Sequence, residues 1–162
     1  MKKITATDLQ PWREPLDLIA ALVDLPREQL SDLRESLHQL IHHADRDVRT
    51  HAVRRLFVHL KDREFHHDAL DLLLHDPDSH VRRVAAFAVA STSSEESRVE
   101  DIRSLLHTLC NEDEERAVRG AAYEGLLLIN GRRDFPPVKR DIDFLRDVDW
   151  DWVAKLRSGA RS

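Results

Sequence analysis

Cysteine is all but missing. Cys110 stands alone in 162 residues, which excludes an internal disulfide framework and fits a reducing compartment, the cytoplasm. Glycine and proline are scarce, at four and six residues. With so little glycine the chain has no Gly-x-Ser-x-Gly elbow and no phosphate-cradling loop. Aromatic residues make up 6%, too few, with too few turn residues, for a β-sandwich. Long apolar runs are absent. The best are "LDLIAALV" and "VAAFAVA", well short of the ~18 residues of a membrane span. The opening Met-Lys-Lys is followed by "ITATDLQPWREP", which lacks the apolar centre of an export signal. Positive charge is not in excess either: the net charge of −5 has the wrong sign for a chain whose main partner is nucleic acid.

What the sequence does hold is charge, 34% of residues, interleaved with leucine, valine and alanine. That is the composition of a helical protein with a charged surface. Its length is enough to bury a core without staples. An internal repeat fixes the architecture further. Val48-Arg49, Val81-Arg82 and Val118-Arg119 recur at spacings of 33 and 37 residues. Ala52, Ala85 and Ala122 follow, then Leu56, Val89 and Leu126. Apolar residues four apart fall on one helical stripe, and a small residue at its centre lets a neighbour approach. An acid stands three residues before each valine: Asp45, Asp78, Glu115. It can cap the free N–H groups at a helix start. A second helical pattern precedes each unit, in "EQLSDLRESLHQLIHH", "REFHHDALDLLLH" and "SRVEDIRSLLHTL". Ser97-x-x-Glu100 reads as a capping box for the third. The unit is therefore helix, acidic turn, helix, and several must stack to bury their faces.

These residues carry a resemblance. Residues 30–130 resemble an array of HEAT repeats, of the short bacterial kind related to phycobilin lyase-like repeats. That family's pattern is Asp followed by Val-Arg-x-x-Ala-x-x-x-Leu, matched here by Asp76 with Val81-Arg82-Ala85 and by Asp113 with Val118-Arg119-Ala122. In the first unit His43 stands at the acid's place. The resemblance implies an all-α fold, a right-handed α-solenoid of about three helical hairpins (30–61, 62–92 and 97–130). Residues 1–29 and 131–162 then supply capping helices at either end. It also implies that Arg49, Arg82, Arg119, Asp76 and Asp113 form hydrogen bonds between adjacent repeats. The flanks agree. "EPLDLIAALVDL" reads as a short helix stopped at Leu25-Pro26, Asn130-Gly131 as a helix C-cap, and Pro136-Pro137 as a break before a last helix.

The second helices of such a solenoid line its concave face. Alignment of the units places Thr50, Arg83 and Gly120 in one row, and Arg54, Phe87 and Glu124 in the next. An aromatic flanked by arginines suits a protein hot spot, so Thr50, Arg54, Arg83, Phe87 and Glu124 are the expected partner-binding residues. His38 and His42 have the i, i+4 spacing of a zinc pair, but the sequence indicates no third ligand, and a solvent-facing flank is expected with no metal or cofactor. His66-His67-Asp68 spreads its side chains around a helix. Iron-binding HEAT-like hydroxylases use His-Glu pairs, and this chain has no His-Glu dipeptide. Cys110 is expected to be a buried, inert thiol. Trp150 and Trp152 point to different helix faces, the second expected to be exposed.

The expected function is a non-catalytic protein-interaction module, whether adaptor, regulatory subunit or immunity-type binder, docking an unidentified protein and no membrane. The alternative is a nucleic-acid binder similar to HEAT-like alkylpurine DNA glycosylases. It rests on Arg46, Arg49, Arg54, Arg55, Arg82, Arg83, Arg116 and Arg119, and net charge and the paucity of aromatics weigh against it.

Overall fold

A computed structural model describes residues 3–132 and 142–159. The expected break at Pro136-Pro137 lies outside them. Among the described residues there is no strand, and the α-helices are α1 Pro15–Asp24, α2 Arg34–Leu40, α3 Arg46–Val53, α4 His66–His75, α5 Ser79–Thr92, α6 Arg98–Cys110, α7 Arg116–Ile129 and α8 Trp150–Gly159. None is long and apolar enough to cross a membrane.

The repeat pattern is the core pattern. Val48, Ala52, Leu56, Val81, Ala85, Val89, Val118, Ala122 and Leu126 all have 0% exposure. Burying each valine or leucine among them contributes about 1.5–3 kcal/mol. Helices α2 and α3, α4 and α5, and α6 and α7 pair as hairpins. Across hairpins, α5 packs closely on both α3 and α7, whereas α4 meets α6 over a short stretch. The second helices therefore form the inner row. Small residues permit it: Ala85, Ala86, Ala88, Ala121 and Ala122 are buried along the α5–α7 contact. At Gly125 an added Cβ would stand 3.2 Å from the Ala86 carbonyl oxygen and 3.2 Å from the Leu105 side chain.

Caps follow local chemistry, with departures. Asp45 accepts from the N–H of Asp47 and Val48, and Asp78 from those of His80 and Val81. Glu115 occupies the N-cap position of α7 without a side-chain bond. The Ser97-x-x-Glu100 capping box is not formed: the Ser97 hydroxyl donates instead to Asp101 at 2.8 Å. The first repeat's leading helix is shorter than its periodicity suggests. It begins as two 3-10 turns, Arg27–Gln29 and Ser31–Leu33. Beyond Val53, α3 widens into a π-helix from Arg54 to His59 and closes on Lys61, whose φ of 60° is a backbone conformation that usually belongs to glycine. Helix α7 ends as expected, with Gly131 at φ 66°.

The hairpins are laced by arginines. Arg49 forks onto Asp76 of the next turn, Nε to Oδ2 at 2.8 Å and Nη2 to Oδ1 at 2.9 Å, while Nη1 reaches back to the carbonyls of His43 and Ala44. Arg82 repeats this one unit on, donating to Glu114 at 2.8 and 2.7 Å and to the Asp76 carbonyl at 2.8 Å. Each arginine thus ties its own turn to the acid of the following one. The second acid is Glu114, not Asp113, which is exposed. The third turn is set one residue later, and the longer glutamate side chain spans the difference. Arg119 donates to the Leu109 carbonyl at 2.9 Å, and its guanidinium lies 4.3 Å from the centre of the Phe144 ring.

Removing one partner of a buried ion pair strands the other charge. The Arg49 and Asp76 side chains are 10% and 3% exposed, against 18% and 11% for Arg82 and Glu114. Arg49→Met is therefore expected to cost about 3–5 kcal/mol. Arg82→Met, leaving a wetter carboxylate, should cost about 1–2 kcal/mol. Urea unfolding of the two variants measures both, and equal losses would contradict the ranking.

Candidate functional site

The inner row presents residues of α3, α5 and α7 that point away from the hairpin core. Arg54 is exposed, and Arg83, Phe87 and Glu124 are half-buried. Phe87 packs against the core with one side and leaves the other accessible. Thr50, expected on this face, is 4% exposed and cannot touch a partner. Gly120 of the same row is buried as well. The row lies deeper than the alignment implies because each second helix is packed against a neighbour on either side: α3 against α1 and α5, α5 against α3 and α7.

The structure adds residues that the alignment missed. His51, half-buried, feels Arg54, Arg55 and His80. Its pKa is lowered by burial first and then by Arg54 and Arg55, against an opposing pull from Asp47. His59 is lowered likewise, by burial and then by Arg55, Arg54 and Arg27. The first half of the inner face is thus cationic. Arg55 is less available than its neighbour, since it donates to the carbonyls of Leu22 and Val23 at 2.7 and 2.6 Å and so caps α1. At the other end Leu128 is 55% exposed. Apolar side chains are also exposed at α1, where Trp12 and Leu16 are each 80% accessible.

One constellation imitates a catalytic relay. His66 Nδ1 lies 2.8 Å from the Thr92 hydroxyl, and its Nε2 lies 2.7 Å from Asp101, which also accepts from Ser97. The hydroxyl is no nucleophile, however. Thr92 is 1% exposed, and its proton goes to the Ala88 carbonyl at 2.8 Å. The cluster joins the starts of α4 and α6 to the end of α5. Burial alone would push the Asp101 carboxyl up, but hydrogen bonds from His66, Ser93 and Ser97 outweigh it and hold the pKa below the ordinary value.

Three further expectations are corrected. Cys110 is exposed, not buried; it is the last residue of α6, where Leu109 takes the inward position at 0% exposure. Of Trp150 and Trp152, the first is the exposed one, at 38%. Trp152 turns inward, edge-on to Tyr123 at 6.1 Å, with Arg132 over its ring at 4.8 Å. Asp68, read from sequence as part of an unproductive run, leaves its own helix to meet His38 and His42 of α2, with the three ligand atoms within 4.8 Å of one another.

Stacked antiparallel hairpins with an arginine–acid ladder define a helical-repeat protein of the solenoid class. A sequence model of HEAT repeats matches residues 67–161, more than half of the chain, and the protein belongs to the HEAT-repeat family. Neither the curated proteins nor the solved structures offer a significant match.

Because the Asp101 pKa is depressed, its contribution to stability is complete above the ordinary carboxylate range and is lost as pH falls through the folded value. Asp101→Asn is expected to cost about 2 kcal/mol at neutral pH, with the gap to wild type narrowing below about pH 4. Urea midpoints across that range test it, and a constant gap would count against the paired carboxylate.

Proposed function

We propose that this protein is a non-catalytic cytoplasmic binding module that docks another protein on the inner face of its helical row, as an adaptor, regulatory subunit or immunity-type binder. The observation that carries the proposal is the row Arg54, Phe87 and Glu124. There a half-buried aromatic, packed against the core on one side, shares its row with Arg54 and stands one helical turn from Arg83. Aromatic and arginine side chains dominate binding energy at interfaces, especially where a fixed backbone spares the ordering cost. Arg54 and Arg83 favour a partner segment carrying acids around an apolar anchor. Two features support a binding role over catalysis: HEAT repeats serve in general as interaction scaffolds, and the His66–Thr92–Asp101 cluster is sealed from solvent.

The same cations keep nucleic acid in view as the competing partner. Affinity capture from lysate of the source cell, with and without nuclease, separates the two. The expected result is one stoichiometric protein that survives nuclease. Its affinity should fall about 30-fold or more, roughly 2 kcal/mol, in Arg54→Glu/Arg83→Glu/Phe87→Ala, with helical content unchanged. Normal binding by that variant would sink the inner-face assignment. Recovery that collapses with nuclease, together with salt-dependent duplex binding, would replace the protein partner with nucleic acid.

A further inference from the structure

On the outer side of the first two hairpins, two imidazoles and a carboxylate converge from different helices. His38 belongs to α2 and His42 to the turn that closes it, where the helix tightens through a hydrogen bond from the His43 N–H to the Leu40 carbonyl. Asp68 lies in the first turn of α4. His38 Nε2 stands 3.0 Å from Asp68 Oδ2, and His42 Nε2 stands 3.8 Å from Oδ1. The two rings meet edge to face at 5.6 Å. We propose that His38, His42 and Asp68 form a divalent metal site, best suited to zinc, that bridges the first two repeats.

Chemistry and geometry agree on this. Two neutral imidazoles and one carboxylate are a recurrent zinc donor set, with bonds of about 2.0–2.2 Å and a fourth position left to water or another ligand. Tetrahedral bonds of that length place neighbouring donor atoms roughly 3.3 Å apart. The two imidazoles approach different oxygens of Asp68, at 3.0 and 3.8 Å, and the three donors lie within 4.8 Å of one another, so side-chain rotations must draw them together to close on an ion. There is room for the rotations where they are needed, since the His42 side chain is 53% exposed. His38 is already oriented. Its ring stacks on Phe65 at 3.8 Å with planes 8° apart, and Phe65 is itself covered by Arg34 at 5.1 Å. A held first ligand, an exposed second and a carboxylate on the opposing helix form a site that an ion can complete. Without an ion, the same atoms make a His–Asp contact at the surface, which contributes little.

The location gives the site a consequence. First helices of neighbouring repeats touch far less than second helices do, and an ion shared by α2 and α4 would clamp this looser side. A ligand that binds the folded state alone raises its stability in step with its concentration.

Titration of the full chain with zinc chloride, followed by calorimetry and thermal unfolding, tests the proposal. One zinc per chain is expected at a Kd of about 10 μM or tighter, with a higher Tm in zinc than in chelator. His42→Ala, at a half-exposed position, and the isosteric Asp68→Asn should each weaken binding at least tenfold, a loss of about 1.4 kcal/mol, and abolish the zinc-dependent Tm rise. Cobalt(II) should show the visible absorption of a tetrahedral site in the wild type and lose it in both variants. Zinc bound equally well by the variants would place it on other histidines or Cys110 and overturn the assignment. Binding that survives Asp68→Asn but not His42→Ala would confine the ion to α2 and remove the bridge. No zinc binding by the wild type would end the proposal.

Discussion

A guanidinium cannot be left alone out of water, and in this protein that constraint sets how the hairpins stack. Arg49 is nearly buried between two turns. It makes four hydrogen bonds, two to the carbonyls of its own turn and two to the oxygens of Asp76 in the next. The geometry is planar and two-pronged, so it fixes the rotation of one hairpin on the next as well as their separation. Asp76 is held in turn: it accepts the Asp78 N–H at 2.9 Å, and Asp78 caps α5. One arginine thereby determines where the following helix begins. The Arg82–Glu114 pair repeats the arrangement, and its hydrogen bonds keep the Glu114 pKa low against the upward push of burial.

The ladder has a packing counterpart. Second helices approach closely because alanine and Gly125 line their contact, and Leu105 of α6 reaches into the same place. First helices carry leucine instead and stay apart. That difference makes the second helices the closely packed side of the row. The accessible side of Phe87 owes its fixed position to its buried side.

What the sequence disclosed and what it withheld follow one rule. Features set by periodicity were legible: the stripe of Val, Ala and Leu, the Asp45 and Asp78 caps, the ends of α1 and α7. Each depends on residues a few positions apart on one element. Features set by the depth of a neighbour were not. Thr50 has the spacing of an exposed position, yet α3 is packed against both α1 and α5 and the position is buried, a fact residing in its neighbours. Asp113 aligns with Asp76, yet the third turn shifts by one residue and Glu114 takes the arginine. Trp152 and Trp150 are two apart, and which one turns inward depended on where Tyr123 and Arg132 stand. The run His66-His67-Asp68 shows both sides of the rule. Sequence correctly separates its side chains around the helix, but the partners that give them meaning, Asp101 and Thr92 for His66 and His38 for Asp68, lie 26 to 35 positions away.

The last arginine of the series shows how local the ladder's logic is. Arg119 keeps the half of its role that belongs to its own repeat, donating to the Leu109 carbonyl as Arg49 and Arg82 donate to their own turns. Its outward face meets Phe144 instead of a fork of carboxylate oxygens, and Arg116 also lies over that ring, at 5.8 Å. An aromatic face can accept a guanidinium without a formal charge of its own, but it imposes no planar register. Register at this end comes from elsewhere. The Tyr123 hydroxyl accepts the Asp149 N–H at 3.1 Å, Asp149 accepts the Trp152 N–H at 3.0 Å, and Trp152 packs on Tyr123. Helix α8 is therefore docked by a backbone-directed aromatic contact, joined by a more exposed ion pair from Arg132 to Asp149 at 3.2 Å. The repeats are locked to one another through bidentate, desolvated pairs, whereas α8 sits on the third hairpin by hydrogen bonds, ring packing and the single-pronged Arg132–Asp149 contact, which tolerate a change of angle that a bidentate pair does not.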